Sequence, residues 1–351
     1  MDFKELKIGY VPYSSDLSQP GDRRRFPYFA KRNNIRYEIA DTNNIYDVVL
    51  LTAASNLTQW RQYKKKHFKT KFIFEMVDSL IFSSDLFNSL FRGVGRFLQQ
   101  KEKLPALNYK TPIIQWLKIA DVVICSSTEI KNNIEKWNNN VVISLDYLQH
   151  EARFLKKEYE IEGKMKLVWE GQGGVLPHLL HFKELFRSVS SFCELHIITD
   201  EKCPIYGNLF FKDVDRFLSQ LPITTIFHKW EIYTNYKELS KCDCGIIPLN
   251  RKNRFGWHKP ANKLVSFWYS GIPTVVSATP AYIEMMNTAD ENLYCLTIDE
   301  WIEKIRKIRD MKTEEREALA RKNFDFVQKN YSNEALDLVW HSVFERLAFQ
   351  E

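Results

Sequence analysis

Four polar side chains lie within six residues of one another, His258, Lys259, Asn262 and Lys263, on a loop that leads into a helical pattern. Cations and a side-chain amide at the start of a helix are suited to gripping an anionic ligand such as a phosphate. A second candidate is Gly171-Gln172-Gly173-Gly174, directly after a strand-like run at 166–170. Glycines there let backbone amides approach a phosphate, and a following helix start adds a favourable dipole, although the spacing is neither a dinucleotide fingerprint nor a P-loop. A third is Arg23-Arg24-Arg25, which can pair bidentately with phosphate or simply form a solvated helix start. His178 and His181 follow the glycine loop without carboxylates at ligand spacing, so no metal site is expected.

Positioning these groups requires alternating strands and helices. Residues 245–249 read as a buried strand, and Ala261, Leu264, Val265, Trp268 and Tyr269 recur at helical spacing over 260–269. Gly271 ends that helix, and 274–276 is the next strand. Such a βαβ unit places its ligand beyond the carboxyl ends of its strands, which puts the 258–263 loop at the ligand. Further strands are expected at 6–11, 35–40, 47–52, 71–77, 119–126 and 141–145 in the first half. In the second half they are expected at 166–170, 194–199, 224–227 and 294–296. Helices over 27–33, 59–68, 236–241, 283–287, 299–310, 314–329 and 332–349 separate or follow them. Strands spaced in this way imply parallel sheets and an α/β fold of two doubly wound domains. The charged stretch 150–164 reads as the connector between them. The segment 81–103 is basic and aromatic at helical intervals, suited to a membrane surface, an acceptor groove or packing against a sheet.

The chain has 351 residues, 44% hydrophobic and 27% charged, enough for two ordinary soluble cores. No run of eighteen apolar residues and no signal-type leader is present, so a cytoplasmic protein is expected. The six scattered cysteines, with Cys242-x-Cys244 the only close pair, read as buried reduced thiols. Residues 1–150 carry 22 Lys and Arg against 15 Asp and Glu, within a chain of net charge +6. That bias suits contact with something anionic, phosphates or a membrane surface, or else a solvated basic face. No base-reading motif points to nucleic acid.

The segment 242–282 resembles the donor-binding region of GT-B glycosyltransferases, particularly the set called glycosyl transferases group 1. Lys259, Asn262, Lys263, Leu264, Gly271, Pro273, Val275 and Ser277 carry the likeness, with Tyr282 where the family enters its next helix. Many members have two glutamates at the positions of His258 and Ser266, one near the sugar and one holding the ribose. The likeness extends to 21–40, 46–52 and 72–81 as an acceptor domain, and to Trp169-Glu170-Gly171 as a donor-domain loop.

The resemblance implies a GT-B fold: an acceptor domain over 1–155, a donor domain over 160–331, and a last helix at 332–351 crossing back to the first. It implies a metal-independent transfer of sugar from a nucleotide-sugar donor, with no further cofactor, to a glycan or lipid-linked acceptor, in the cytoplasm or at the inner membrane face. A nucleotide-sugar epimerase and a non-catalytic sugar-nucleotide-binding subunit are the other readings of the same fold. The donor would meet Gly171, Gln172, Gly173, Gly174, Lys259, Asn262, Lys263 and Ser266, with Trp230 stacked on the base or buried in the core. His258 and Lys259 would act at the reacting centre. Asp16, Arg24, Arg25, Glu75 and Asp78 would face the acceptor, with Asp78 the first choice of general base.

Overall fold

Short runs of β-branched and aromatic residues form two parallel sheets in the computed structural model, which describes residues 5–77, 110–148, 154–205, 210–232 and 234–348. Asp78 and the 81–103 segment lie outside these residues. The chain divides into one unit of Met1–Leu148, His258–Pro260 and Ser332–Glu351, and a second of Gln149–Trp257 and Ala261–Tyr331.

The first unit holds β1 (Ile8–Val11), β2 (Glu38–Ile39), β3 (Val48–Thr52), β4 (Lys71–Met76), β5 (Val122–Cys125) and β6 (Val141–Ile143), ordered β2-β1-β3-β4-β5-β6. Every pairing is parallel, for example Val49 beside Phe72 and Phe74 beside Val123. Alternate residues feed opposite faces. Val49, Leu51, Phe72, Phe74, Val123 and Cys125 join Leu57, Trp60, Ile113 and Trp116 in one core. Val48, Leu50, Ile73, Val122 and Ile124 join Phe26, Phe29, Leu336 and Trp340 in the other. A sheet covered on both faces needs largely apolar strands, as β3, β5 and β6 are, whereas β4 carries Lys71 and Glu75 and the edge strand β2 is exposed.

The second core is closed by the helix Asn333–Ala348, the last element among the described residues. Trp340 stacks on Phe29 with centroids 5.6 Å apart, and Phe26 lies 5.8 Å from the same indole. Asp337 anchors the helix polar side, accepting from the Tyr147 hydroxyl at 2.8 Å and from Arg32 at 3.0 Å.

In the second unit the strands are β7 (Met165–Glu170), β8 (Cys193–Thr199), β11 (Thr225–Lys229), β12 (Cys244–Ile247), β13 (Thr274–Ser277) and β14 (Tyr294–Cys295). Their order is β11-β8-β7-β12-β13-β14, again parallel throughout. An antiparallel hairpin of β9 (Lys202–Ile205) and β10 (Phe210–Asp213), which the sequence pattern did not suggest, stands beside it. All six cysteines are buried thiols.

The helix Asn262–Tyr269 ends as its glycine requires. Gly271 has φ +74°, Ile272 N–H donates to Phe267 O at 3.1 Å and Gly271 N–H to Trp268 O at 3.0 Å, the Schellman pattern. A side chain at Gly271 would also meet the Tyr159 hydroxyl at 2.9 Å.

That tyrosine belongs to the stretch expected as a connector, whose described part, from 154 on, packs two side chains into this unit. Lys156 and Tyr159 are buried, the Lys156 ammonium faces Asp243 at 3.4 Å, and Arg316 donates to Tyr159 O at 3.0 Å. Burial draws the Lys156 pKa down in spite of Asp243.

At the β8–β11 edge, His196 Nδ1 and His228 Nε2 share a hydrogen bond of 2.9 Å, with Glu238 3.3 Å from His228. Burial first, and then His196, lowers the His228 pKa from its ordinary 6.5. The unfolded chain therefore takes up this proton before the folded one does, so stability falls as pH drops below about 6.5 and levels off below the folded pKa.

Two outcomes follow. Native-state hydrogen exchange should show β11 amides less protected at pH 5 than at pH 7, a difference that His228→Gln shrinks. Trp340→Ala should destabilise the first unit by about 3–5 kcal/mol, read as faster exchange in β3 and β5 than in β8; equal loss in both sheets would contradict the packing described.

Candidate functional site

A parallel sheet has a natural ligand position where its strand order reverses, because the loops on either side of that point leave the sheet in opposite directions. In the second unit the reversal falls between β7 and β12. The loops beyond these two strands carry Gly171–Gly174 and residues 248–261.

The two loops touch. Asn253, beyond β12, lies 3.4 Å from His178 Nε2 on the 3-10 helix Gly173–Phe182, beyond β7. Asn253 also accepts from Gly256 N–H at 3.1 Å, which closes the loop on itself. Ser277, from the end of β13, fastens the base of that loop by accepting from Leu249 N–H at 2.7 Å and donating to Leu249 O at 3.1 Å. The motif serine thus replaces strand pairing where β12 has ended.

Lys263 ties the motif helix to the glycine loop. Its ammonium donates to Glu170 O, stands 3.6 Å from the Glu170 carboxylate and lies 5.3 Å from the centre of the Trp169 ring. Only glycine fits at 171 beneath this arrangement: a Cβ there would approach the Trp169 ring to 2.7 Å and the Lys263 nitrogen to 3.2 Å. Burial, followed by the Glu170 carboxylate, pushes the Tyr282 phenol upward.

The glycine loop departs from expectation in one respect. Gly173 N–H, the first amide of the 3-10 helix, already donates to Asp200 Oδ2 at 2.7 Å. A carboxylate of the chain occupies the place where an external anion was anticipated. Gly173 is required there for another reason, since a Cβ would meet Lys202 O at 2.8 Å. Asp200 closes β8, and its partner lies in a different loop, so no local pattern announces it. Gln172 and Gly174 remain exposed.

The other expected donor-side residues are placed as follows. Asn262 begins the motif helix, and Ser266 one turn on donates to Asn262 O at 3.1 Å. Trp230 lies just past β11, two strands from the reversal, half-buried, with its backbone N–H on Thr199 O at 2.9 Å. His258 and Lys259 group with the first unit, where His258 Nδ1 is 2.8 Å from Glu129. Within the second unit Lys263, Glu170 and Gly171 come together, while Trp230 follows β11, two strands away, and His258 groups with the first unit.

In the first unit the reversal falls between β1 and β3, beside the 12–22 loop. That loop is folded around Asp22, which accepts from the Tyr10 hydroxyl at 2.7 Å, Tyr13 N–H at 2.9 Å and Ser14 N–H at 3.0 Å. Tyr13 in turn donates to Glu75 at 3.0 Å. Asp16 is exposed at the loop tip, accepting from Ser18 N–H at 3.1 Å, and this bond holds its pKa low.

Two of the acceptor-side residues take a different part from the one expected. Arg25 and Glu75 have side chains 0% exposed and face each other at 2.7 Å, with Asp146 2.9 Å from Arg25 and Ser144 O 3.1 Å away. With every surface enclosed, they are a buried ion pair that positions the loop. Arg24, one residue earlier, is the half-exposed member, at 2.9 Å from Asp146. Desolvation raises the Glu75 pKa against the pull of Arg25.

No protein-family model and no curated protein matches the chain by sequence. Solved structures match it in fold, the three that follow each at 10% identity. A point mutant of Staphylococcus aureus TarM, in complex with fondaparinux, alpha-GlcNAc-glycerol and UDP, aligns over 85% of this chain at TM-score 0.58. This chain spans only 55% of that protein's length. Sucrose-phosphate synthase from Thermosynechococcus elongatus aligns over 87% of this chain and 75% of its own at TM-score 0.61. HepE from Anabaena, in complex with UDP-glucose, aligns over 98% of this chain and 100% of its own at TM-score 0.61. The fold is GT-B, with two α/β units each built on a six-stranded parallel sheet.

The burial of Arg25 sets an expected outcome. Arg25→Ala should destabilise the first unit by about 3–5 kcal/mol, because Glu75 is left buried and unpaired, whereas Arg24→Ala should shift the urea midpoint little. Equal midpoints for the two variants would return Arg25 to the surface.

Proposed function

We propose that this chain is a glycosyltransferase that binds a nucleotide sugar, in the simplest case a uridine diphosphate sugar, beyond β7 and β12. It then passes the sugar to a glycan or lipid-linked acceptor. The observation that carries the reading is the lysine of the motif helix, Lys263, held over Gly171 at the strand reversal. Fold alone would not support an activity, since one architecture serves many. The binding of UDP by TarM and of UDP-glucose by HepE supports uridine diphosphate as the first donor to test.

The chemistry follows from where charge develops. As the sugar–phosphate bond breaks, negative charge gathers on the departing diphosphate, and fixed cations and amides aimed there lower the barrier. Lys263 supplies the cation, with Lys259 proposed as a second. Asn262 and the start of its helix supply amides and the positive end of a dipole. Ser266 stands where many GT-B enzymes hold the ribose with a carboxylate. Its hydroxyl can exchange the Asn262 carbonyl for a ribose hydroxyl, since it both donates and accepts.

On the acceptor side, Arg24 and Asp16 are the accessible members of the predicted set, while Arg25 and Glu75 hold the loop beneath them. Asp78, following β4 in the sequence, is proposed as the base that takes the acceptor proton.

Calorimetry with UDP is the direct test. Binding should weaken by roughly 10- to 100-fold in Lys263→Ala, the range for losing a charge-assisted contact, with the melting profile of the free variant little changed. Release of UDP from UDP-glucose in the presence of an acceptor, lost in Asp78→Asn, would then establish transfer. Absence of a thermal shift with UDP-, GDP-, ADP- and CMP-sugars alike would overturn the proposal, and tight UDP binding with no turnover toward any acceptor would leave a sugar-nucleotide-binding subunit instead.

A further inference from the structure

A cluster of the first half's lysines lies at one end of the first unit. Because its strands are all parallel, the turns leading into them share one edge of the sheet, opposite the edge that carries the 12–22 loop. The turns entering β3 and β4 adjoin there, with the Thr70 hydroxyl donating to Tyr46 O at 2.8 Å and Lys71 N–H to Asp47 O at 2.9 Å.

Each of these turns presents an exposed apolar side chain, Ile45 at 65% and Phe68 at 79% exposure. Single exposed apolar residues are ordinary, but here two stand on adjoining turns. Lysines surround it. Lys65, Lys66 and Lys69 are exposed, Lys64 and Lys71 lie 3.0 Å and 3.8 Å from Asp121, and Lys7 stands over the Tyr46 ring at 5.2 Å. From 43 to 71 the chain carries six Lys and Arg and a single acidic residue, Asp47.

We propose that this edge is a docking surface for an anionic lipid bilayer. Phe68 and Ile45 would enter the boundary between headgroups and acyl chains while Lys65, Lys66 and Lys69 lie against the lipid phosphates. Among the described residues no helix is long and apolar enough to cross a membrane, so the contact is peripheral. The two apolar tips favour lipid over nucleic acid, because an aliphatic side chain such as Ile45 has no face on which a base can stack. This surface belongs to the first unit and the proposed donor site to the second, and its test uses no turnover.

The experiment is flotation of the full chain with vesicles of phosphatidylcholine alone and of phosphatidylcholine mixed with phosphatidylglycerol. The protein should float only with the mixed vesicles and be released by added salt, which screens exposed charges. The triple variant Lys65→Ser, Lys66→Ser, Lys69→Ser should lose roughly 100-fold in partitioning, at about fivefold for each basic residue near the surface. Phe68→Ser should lose roughly tenfold while keeping the salt dependence. These positions are exposed, and circular dichroism checks that the variants are folded. Failure to float with either vesicle, or folded variants that float as the parent does, would overturn the proposal. So would binding to single-stranded RNA that depends on the three lysines and not on Phe68, in the absence of flotation.

Discussion

The parallel arrangement of the strands is the constraint from which everything functional in this protein follows. Parallel strands must be joined by crossovers, so each sheet is covered on both faces, and all the loops that leave the strands collect on a single edge. In the second unit the reversal falls between β7 and β12, and the sequence places its glycines on the loop after β7 and its lysine in the first turn of the helix Asn262–Tyr269, which follows β12. Lys263 then does two things at once. It binds the Glu170 carbonyl and carboxylate, which ties the motif helix to the end of β7, and in the function proposed above it is the cation offered to the departing diphosphate.

The first unit solves the corresponding problem by burying charge. Asp22 takes two backbone donors of its loop and the Tyr10 hydroxyl of β1, and Arg25, itself without solvent access, links Glu75 to Asp146. Removing charges from water is expensive, and their mutual attraction repays it only when the remaining lone pairs and N–H groups are also satisfied. Here Tyr13 and Ser144 O complete the set. The result is a loop of defined shape with Arg24 and Asp16 left accessible, a division of labour between buried and exposed members of one polar stretch.

The sequence made the periodic elements legible and hid the non-local ones. Runs such as Val48–Thr52 and Val122–Cys125 are apolar on both faces and announce strands directly, and Gly271 announced a helix end because the left-handed conformation there suits glycine. The 35–40 stretch looked like a full strand, yet only Glu38–Ile39 pairs, at an exposed sheet edge. The hairpin of β9 and β10 was hidden by Pro204 within a short run, a residue that local reading takes as an interruption. Adjacent arginines at 24 and 25 are equivalent in composition, and only Glu75, fifty residues away, separates their roles. Asp200 at Gly173 and Lys156 at Asp243 are likewise pairings across the fold that no spacing rule contains.

The helix Asn333–Ala348 has a consequence for how the chain matures. Its Asp337 meets Tyr147 across 190 residues of sequence, with the whole of the second unit between them. During synthesis the segments of the first unit leave the ribosome early, but the groove lined by Phe26 and Phe29 stays uncovered until the final helix emerges. The second unit, continuous but for three residues, has by then all its strands available. Domains that fold as units in order of synthesis are the usual pattern; here the first unit is begun before the second and completed after it, so its apolar groove waits longest for its cover.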